Sequence, residues 1–347
     1  MKKKQLRYNS SEYFEKALKT YKKAELKFSK PIKKYFQLGN MVILVSFAGP
    51  ELVSYLMPAF EHVMCAPVLD PHIEIYCFDS ESTKVQLPKM PWSEKEYLIN
   101  RDVPNSNKDI ITAIYSAELK NLNLINDTQN KAIFWTNSSS NLPYYIKGAP
   151  LIRILTNCNI GKNNSFIHAS AVGTENDCVL FVGESGSGKS TSALTCLNSK
   201  LNYLSDDFCF ISLDPKPYAH SLFNAAKLEK DNLNNFPFLR NKHVNNDSDP
   251  KYLYLLNTLF PEKMTKKLPI KAIFVPQINN SISTTIEPTS PMTALKAIAP
   301  TTILQLSAEQ NSLLTIFSKL VQKVPCYNLK LGSDLEQIPK IVSKYLL

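Results

Sequence analysis

A glycine-rich segment in the middle of the chain, 183-GESGSGKS-190, constrains the fold more than any other part of the sequence. It matches the phosphate-loop pattern G-x-x-x-x-G-K-[ST] at every defined position. The apolar run VLFV before it predicts a strand, and KSTSALTCL after it predicts the start of a helix. This strand–loop–helix context indicates a nucleotide-binding α/β domain in the second half of the chain.

The residue types of this loop suit a polyphosphate. Glycines let backbone N–H groups curve around phosphate oxygens, and the following helix directs its positive end at them. Lys189 is expected to reach the β- and γ-phosphates, and the Ser190 hydroxyl is expected to bind Mg²⁺. The predicted site for ATP consists of Gly183, Glu184, Ser185, Gly186, Ser187, Gly188, Lys189, Ser190 and Thr191.

Two adjacent acids, Asp206 and Asp207, follow Lys189 by seventeen and eighteen residues in 203-YLSDDFCFI-211. That gap holds one helix and a short turn, so we expect 203–211 to be the neighbouring strand, with both acids level with the γ-phosphate. One carboxylate can hold Mg²⁺ and the other can accept the proton of an attacking hydroxyl. Because successive strand residues point to opposite faces, the two acids are expected to have different roles.

A histidine is expected near the start of the phosphate loop. The segments SFIHASAVG and CVLFVG flank a turn at 174–177 and predict a hairpin. If the turn centres between Glu175 and Asn176, the numbers of paired residues sum to 351, and His168 lies opposite Gly183. His168 is then either a group that faces the transferred phosphate or a buried structural histidine.

The net charge of +10 is concentrated at the N-terminus. Residues 1–35 contain twelve Lys or Arg and three Glu, a charge of +9, which leaves +1 for the other 312 residues. This distribution argues against a nucleic-acid-binding surface over the whole molecule. We expect 1–35 to be a basic helical arm, either a solvated surface helix or a contact for an anionic partner.

The rest of the chain divides at 137-NSSSNLPYYIKGAP-150, a polar segment with two prolines. We expect an N-terminal α+β domain over 36–145 and the nucleotide-binding domain over 146–347. No apolar run reaches the roughly 18 residues of a membrane span, and the N-terminus has no signal-peptide pattern, so no membrane contact and a cytoplasmic location are expected. The seven scattered cysteines indicate reduced thiols.

The spacing of these motifs resembles a known kinase family. FIHASAV, then GESGSGKS fifteen residues after the histidine, then LSDD seventeen residues after the lysine, resemble the catalytic domain of HPr kinase/phosphorylase and of related serine kinases. The resemblance covers about 150–347. It implies a P-loop fold similar to that of phosphoenolpyruvate carboxykinase, entered from a hairpin and preceded by a separate domain.

The resemblance also implies roles for single residues. His168 becomes a catalytic residue on the phosphate side, Ser190 a Mg²⁺ ligand, and Asp207, with Asp206 beside it, the general base. Which of the two acids is the base stays open, and Asp206 is also a candidate Mg²⁺ ligand. Thr191 stands where HPr kinases have glutamate, and their glycine-rich E-I-R-G-x-G segment has no counterpart here. In that region Lys227 of 221-SLFNAAKLEK-230 is either a substitute cation for the phosphates or an ordinary surface lysine.

These observations favour an α/β (mixed α+β) kinase that depends on ATP and Mg²⁺ and transfers the γ-phosphoryl group to a hydroxyl, above all a serine of a peptide or protein. A homo-oligomer is compatible with the sequence. One alternative is a small-molecule hydroxyl kinase, although such enzymes begin with the loop and lack the histidine-bearing hairpin. Another is a nucleotide-gated binding protein with little catalysis. A metabolic carboxykinase is disfavoured, because the sequence has no second cluster of metal-binding histidine and lysine.

Overall fold

The structure is a computed structural model that describes residues 10–92, 111–158, 160–161, 163–306 and 310–347. The chain forms two compact units. The first consists of Met1–Pro58 and Met64–Asn159, and the second of Ala59–Val63 and Ile160–Leu347. Both units are mixed α/β structures with mixed sheets. Among the described residues, no helix is both long enough and apolar enough to cross a membrane.

The first unit is built on a six-stranded sheet in the order β1-β2-β3-β6-β5-β4. The pairs β2–β3 and β3–β6 are parallel and the other pairs are antiparallel. Its described elements are α1 (Ser10–Glu25), β1 (Ile32–Leu38), β2 (Met41–Phe47), α2 (Glu51–Leu56), β3 (Ile73–Asp79), α3 (Ser80–Thr83), β4 (Ile111–Ser116), β5 (Asn121–Asn126), β6 (Lys131–Thr136), α4 (Tyr144–Gly148) and α5 (Ile152–Leu155).

The helix α1 belongs to the core of this unit. Its apolar residues recur every three or four positions, and Phe14, Ala17 and Tyr21 are almost completely buried in one cluster with Phe78 and Ile133 of the sheet. The predicted helix with an apolar face at Phe14, Leu18 and Tyr21 is present, and the packing of that face on the sheet makes 10–25 part of the first unit and not a separate arm. The lysines of α1 (Lys16, Lys19, Lys22 and Lys23) lie on the opposite, exposed face of the helix.

The second unit contains a larger mixed sheet in the order β10-β8-β9-β15-β12-β11-β7, with β17 beside β15 and β16 beside β17. A separate ladder joins β13 to β14. The described strands are β7 (Asn164–Ile167), β8 (Ala169–Gly173), β9 (Cys178–Val182), β10 (Asn202–Ser205), β11 (Cys209–Ser212), β12 (Tyr218–His220), β13 (Ala225–Glu229), β14 (Lys251–Leu255), β15 (Lys267–Ile278), β16 (Thr285–Pro288) and β17 (Cys326–Leu331).

Helices cover both faces of this larger sheet. The described helices are α6 (Lys189–Leu197), α7 (Leu256–Leu259), α8 (Pro291–Leu306), α9 (Gln310–Lys323) and α10 (Gln337–Leu346). Along β9, Leu180 and Val182 pack with α8 and α9, whereas Val179 and Phe181 pack with α6 and α10. This alternation follows from the two-residue period of a strand. It explains why β9 reads as a continuous apolar run, since both of its faces are buried.

The burial of α1 has a measurable consequence for stability. Phe14→Ala removes a completely buried ring, and we expect it to lower the free energy of unfolding by about 3–5 kcal/mol. Lys19→Ala changes the exposed face of the same helix and should alter that free energy by no more than about 0.5 kcal/mol. Denaturant unfolding of both variants measures the difference. Equal, small changes in the free energy of unfolding of the two variants would show that the apolar face of α1 is not part of the core.

Candidate active site

The predicted site residues gather at one edge of the larger sheet because of the strand directions. β9, β15 and β17 are mutually parallel, so their carboxyl ends share an edge. β8 is antiparallel to β9, and β10 is antiparallel to β8, so the amino end of β8 and the carboxyl end of β10 lie at the same edge. Three kinds of residue therefore lie side by side at this edge. They are the residues just after β10, those just before β8, and those just after β9, β15 and β17.

The predicted register of the histidine-bearing hairpin is confirmed. Ala169 pairs with Val182 and Ser170 with Phe181, and both pairs sum to 351. His168 comes directly before this ladder and Gly183 directly after it. The His168 side chain is buried, and its Nδ1 atom has no hydrogen-bond partner among the described residues.

The phosphate loop connects β9 to α6. Gly188 adopts φ +100°, a backbone conformation that favours glycine, and its Cα lies close to Leu331 Cδ1. Lys189 is only 5% exposed, and its ammonium donates to the carbonyls of Gly183 and Glu184 at 2.8 and 2.9 Å. Burial lowers the pKa of Lys189, and the two nearby carboxylates partly oppose that shift. The Lys189 amine thus lies inside the loop and is hydrogen-bonded to two loop carbonyls. The phosphate oxygens of a bound polyphosphate could take the place of these carbonyls as acceptors.

The two acids lie on a turn, so the prediction of a continuous strand over 203–211 is wrong. β10 ends at Ser205, and β11 begins at Cys209 and pairs with different strands. Asp207 has φ +61°, and the Phe208 N–H donates to the Asp206 carbonyl at 2.7 Å. The two acids therefore do not differ because they point to opposite faces of a strand. They differ because their side chains have different partners.

Asp206 is buried and faces the start of α6. Its Oδ1 atom accepts hydrogen bonds from Ser190 Oγ at 2.8 Å and Ser170 Oγ at 2.6 Å. Burial and the neighbouring Asp207 raise the pKa of Asp206, and the two hydroxyls and Lys227 only partly offset that effect. A buried carboxylate beside a hydroxyl is an oxygen donor set that suits Mg²⁺, which is commonly held by one or two protein ligands together with water and phosphate.

Asp207 is held between two basic side chains. Its Oδ2 atom lies 2.7 Å from Lys227 Nζ, and its Oδ1 atom lies 3.7 Å from His168 Nε2. Burial raises the pKa of Asp207, but Lys227 and His168 outweigh burial and hold the pKa well below its ordinary value. Lys227 is thus not an ordinary surface lysine, because its side chain is 19% exposed and paired with an acid of this turn.

These groups border one cavity of about 540 Å³ within the second unit. The loop residues that line it are Ser185, Gly186, Gly188, Lys189, Ser190 and Thr191. His168, Asp207 and Lys227 line the same cavity. Gly183, Glu184 and Ser187 shape the loop itself, where Ser187 N–H donates to the Glu184 carbonyl at 3.2 Å. Asp206 reaches the cavity wall through its bond to Ser190.

Sequence reasoning missed Ser170, which lies completely buried and binds Asp206. The signal was available in FIHASAV, because residues two apart on a strand share a face, and His168 and Ser170 flank Ala169.

Within the described part of the chain, no group of three or more His, Cys, Asp or Glu side chains could hold a metal ion. The proposed Mg²⁺ ligands therefore remain one carboxylate and one hydroxyl.

No family model matches the chain, and no curated protein matches it. Among solved structures, the Hpr(Ser) kinase/phosphatase from Coxiella burnetii is similar to this chain, with a TM-score of 0.28 and 9% sequence identity. The similarity covers 52% of this chain and 93% of that one.

The opposite pKa directions of the two acids predict opposite effects on stability. The raised pKa of Asp206 means that its ionised form destabilises the fold above about pH 4, the pKa of an unfolded aspartate. Asp206→Asn removes this cost, so the ligand-free variant should melt about 2–4 °C above wild type at pH 7. The difference should shrink as the pH falls toward 4.

Asp207→Asn should behave in the opposite way. The lowered pKa of Asp207 means that its ionised form stabilises the fold above about pH 4, and that this contribution is lost as the pH falls through the folded-state pKa. The variant should melt about 2–4 °C below wild type at pH 7 and approach wild type in acid. Thermal unfolding between pH 4 and 8 tests both variants, and shifts of the same sign at pH 7 would contradict the assignment.

Proposed function

We propose that this protein is a kinase that depends on ATP and Mg²⁺ and transfers the γ-phosphoryl group to a hydroxyl. The observation that supports this proposal best is the meeting of three functions at one cavity. Lys189 provides a cation inside a phosphate loop, Ser190 and Asp206 form an oxygen pair for Mg²⁺, and Asp207 provides a carboxylate beside His168 and Lys227. Phosphoryl transfer requires this combination of positive charge, metal and proton acceptor.

The two acids would have separate tasks in this reaction. Asp206 and Ser190 would hold Mg²⁺, which supplies positive charge to the phosphate oxygens when it is bound. A bound cation also opposes the pKa rise of Asp206, so Asp206 is a poor proton acceptor in that state. Asp207 is then the carboxylate that remains to accept the proton of the attacking hydroxyl.

Lys227 can regulate the basicity of Asp207. Its ammonium lies 2.7 Å from Asp207 Oδ2 and borders the cavity, so it can neutralise either this carboxylate or the phosphates of a bound nucleotide. While it stays on Asp207, the low pKa makes Asp207 a weak base. A move of Lys227 toward the phosphates would raise that pKa and strengthen the base only when nucleotide is present.

We propose a serine of a peptide or protein as the acceptor, on the basis of the motif resemblance described above. Incubation of the purified protein with γ-labelled ATP and a set of serine-containing peptides, free serine and sugar alcohols tests the acceptor class. Label on a peptide or protein serine supports the proposal. Label only on small molecules favours a small-molecule kinase, and ATP binding without any transfer favours a nucleotide-gated binding protein.

Removal of the loop cation should abolish transfer. Lys189→Met keeps an unbranched side chain but removes its charge, and we expect transfer to fall by at least about 10²-fold. Lys200 lies in the exposed turn after α6, so Lys200→Met is a matched control that should keep wild-type turnover. The rate of label transfer to the acceptor measures the turnover of both variants. Retention of more than about a tenth of wild-type turnover by Lys189→Met would refute the proposed nucleotide geometry.

The kinetic effects of the two acids should differ in kind. Asp207→Asn should keep nearly normal affinity for ATP with Mg²⁺ but lose transfer by about 10²–10⁴-fold, because the proton acceptor is gone. Asp206→Asn should instead raise the Mg²⁺ concentration needed for half-maximal transfer. Nucleotide titration and transfer assays over a range of Mg²⁺ concentrations separate the two. Exchanged phenotypes would make Asp206 the base, and two fully active variants would exclude this mechanism.

A further inference from the structure

The cavity has two chemically different rims. One rim carries the polar and charged residues Glu229, Asn232, Asn235 and Lys251, with Glu229 and Lys251 forming an ion pair at 2.7 Å. The other rim carries the apolar side chains of Ile278, Leu331 and Leu335, with Asn279 and Ser333 beside them. A ligand that fills this cavity therefore contacts apolar surface at one end and polar surface at the other.

The sheet order puts the apolar rim and the two acids on opposite sides of the phosphate loop. Residues 273 and 274 of β15 pair with β9 on one edge and with β17 on the other. β8 and β10 follow on the far side of β9. Neighbouring strands are about 4.8 Å apart. The acids follow β10, which lies two strands from β9 on one side, and β17 lies two strands from β9 on the other side.

The polar rim belongs to the side of the acids. It lies largely on the β13–β14 ladder and the turn that follows β13, and Lys227 of β13 binds Asp207. Glu229 comes two residues after Lys227 and pairs with Lys251 across the ladder. The polar rim is thus continuous with the groups proposed to receive the γ-phosphate and the acceptor.

The Ile278 side chain on the apolar rim is exposed. β15 is buried from Ala272 to Pro276 and exposed at its last two residues, and the Ile278 side chain that ends the strand is 71% exposed and borders the cavity. Next to it, Leu331 packs against the phosphate loop at Gly188. Apolar surface that stays exposed next to a phosphate site suits a flat, apolar ligand group.

Backbone hydrogen bonds hold this rim in place. Asn279 N–H donates to the Leu331 carbonyl at 3.0 Å, and Ser333 N–H donates to the Ser281 carbonyl at 3.0 Å. Gly332 N–H donates to Thr284 Oγ1 at 3.0 Å, and a Cβ atom on Gly332 would overlap the Ile282 carbonyl. The ends of β15 and β17 are therefore tied together by hydrogen bonds of the chain itself.

We propose that the apolar rim of Ile278, Leu331 and Leu335 binds the base of the nucleotide, and that the polar rim faces the phosphoryl acceptor. The proposal rests on the nucleotide-binding function proposed above and adds the direction in which the nucleotide lies. The triphosphate occupies the loop, the base extends over the ends of β15 and β17, and the γ-phosphate extends toward Asp207. Asn279 and Ser333 lie where hydrogen-bonding groups on the edge of the base can reach them.

The test compares a nucleotide with a polyphosphate that has no base. Isothermal titration gives the affinity of the intact protein for ATP and for inorganic tripolyphosphate, each with Mg²⁺. Ile278→Ala should weaken ATP binding by about tenfold, because it removes apolar contact with the base, and should change tripolyphosphate binding by less than about twofold. Ile282, four residues later and 72% exposed, does not border the cavity, so Ile282→Ala should leave both affinities unchanged.

Several results would overturn the proposal. Equal loss of ATP and tripolyphosphate affinity in Ile278→Ala would mean that the side chain supports the loop and not the base. Unchanged ATP affinity in that variant, with selective loss in Asn232→Ala, would assign the base to the polar rim. Both results leave the kinase proposal intact. Absence of phosphoryl transfer in a wild-type protein that shows the expected Ile278 pattern would refute the kinase function and retain the base site.

Discussion

Two neighbouring carboxylates on one turn repel each other, and the surrounding structure has to oppose that repulsion. It does so by giving each acid different partners. Asp207 forms an ion pair with Lys227 and lies near His168, whereas Asp206 is buried and accepts hydrogen bonds from two serine hydroxyls. Their pKa values consequently shift in opposite directions. Pairs of acids separated in this way are typical of sites that need one ionised base and one group with another task.

The turn that carries Asp206 and Asp207 allows both side chains to reach the same site. A continuous strand would carry Asp206 and Asp207 to opposite faces, and only one of them could reach the phosphate loop. The left-handed conformation of Asp207 interrupts the strand, so that both side chains meet groups of the same site. A non-glycine residue in this conformation is strained, and such strain is often found where function requires a particular arrangement.

The same edge of the sheet gives the cavity its direction. The loop after β9 is central, the acids and the histidine lie on the side of β8 and β10, and the apolar rim lies on the side of β15 and β17. Ligands of open α/β sheets commonly bind outside the carboxyl ends of the strands, and here these ends differ in chemistry from one side to the other. The lining of this cavity therefore changes from polar to apolar across the phosphate loop.

The sequence by itself determined the parts of the site that depend on local spacing. The phosphate-loop pattern specifies a strand, a glycine-rich turn and a helix, and the two-residue period of a hairpin was enough to put His168 beside Gly183. Only the tertiary structure decided the partners of Asp206 and Asp207, the pairing of Lys227 and the burial of α1. Those outcomes depend on contacts between distant segments, such as Lys227 with Asp207, and no local period encodes them. The spacing of apolar residues in α1 predicts which face of the helix is buried, but the sheet that covers this face is supplied by distant segments and follows only from folding.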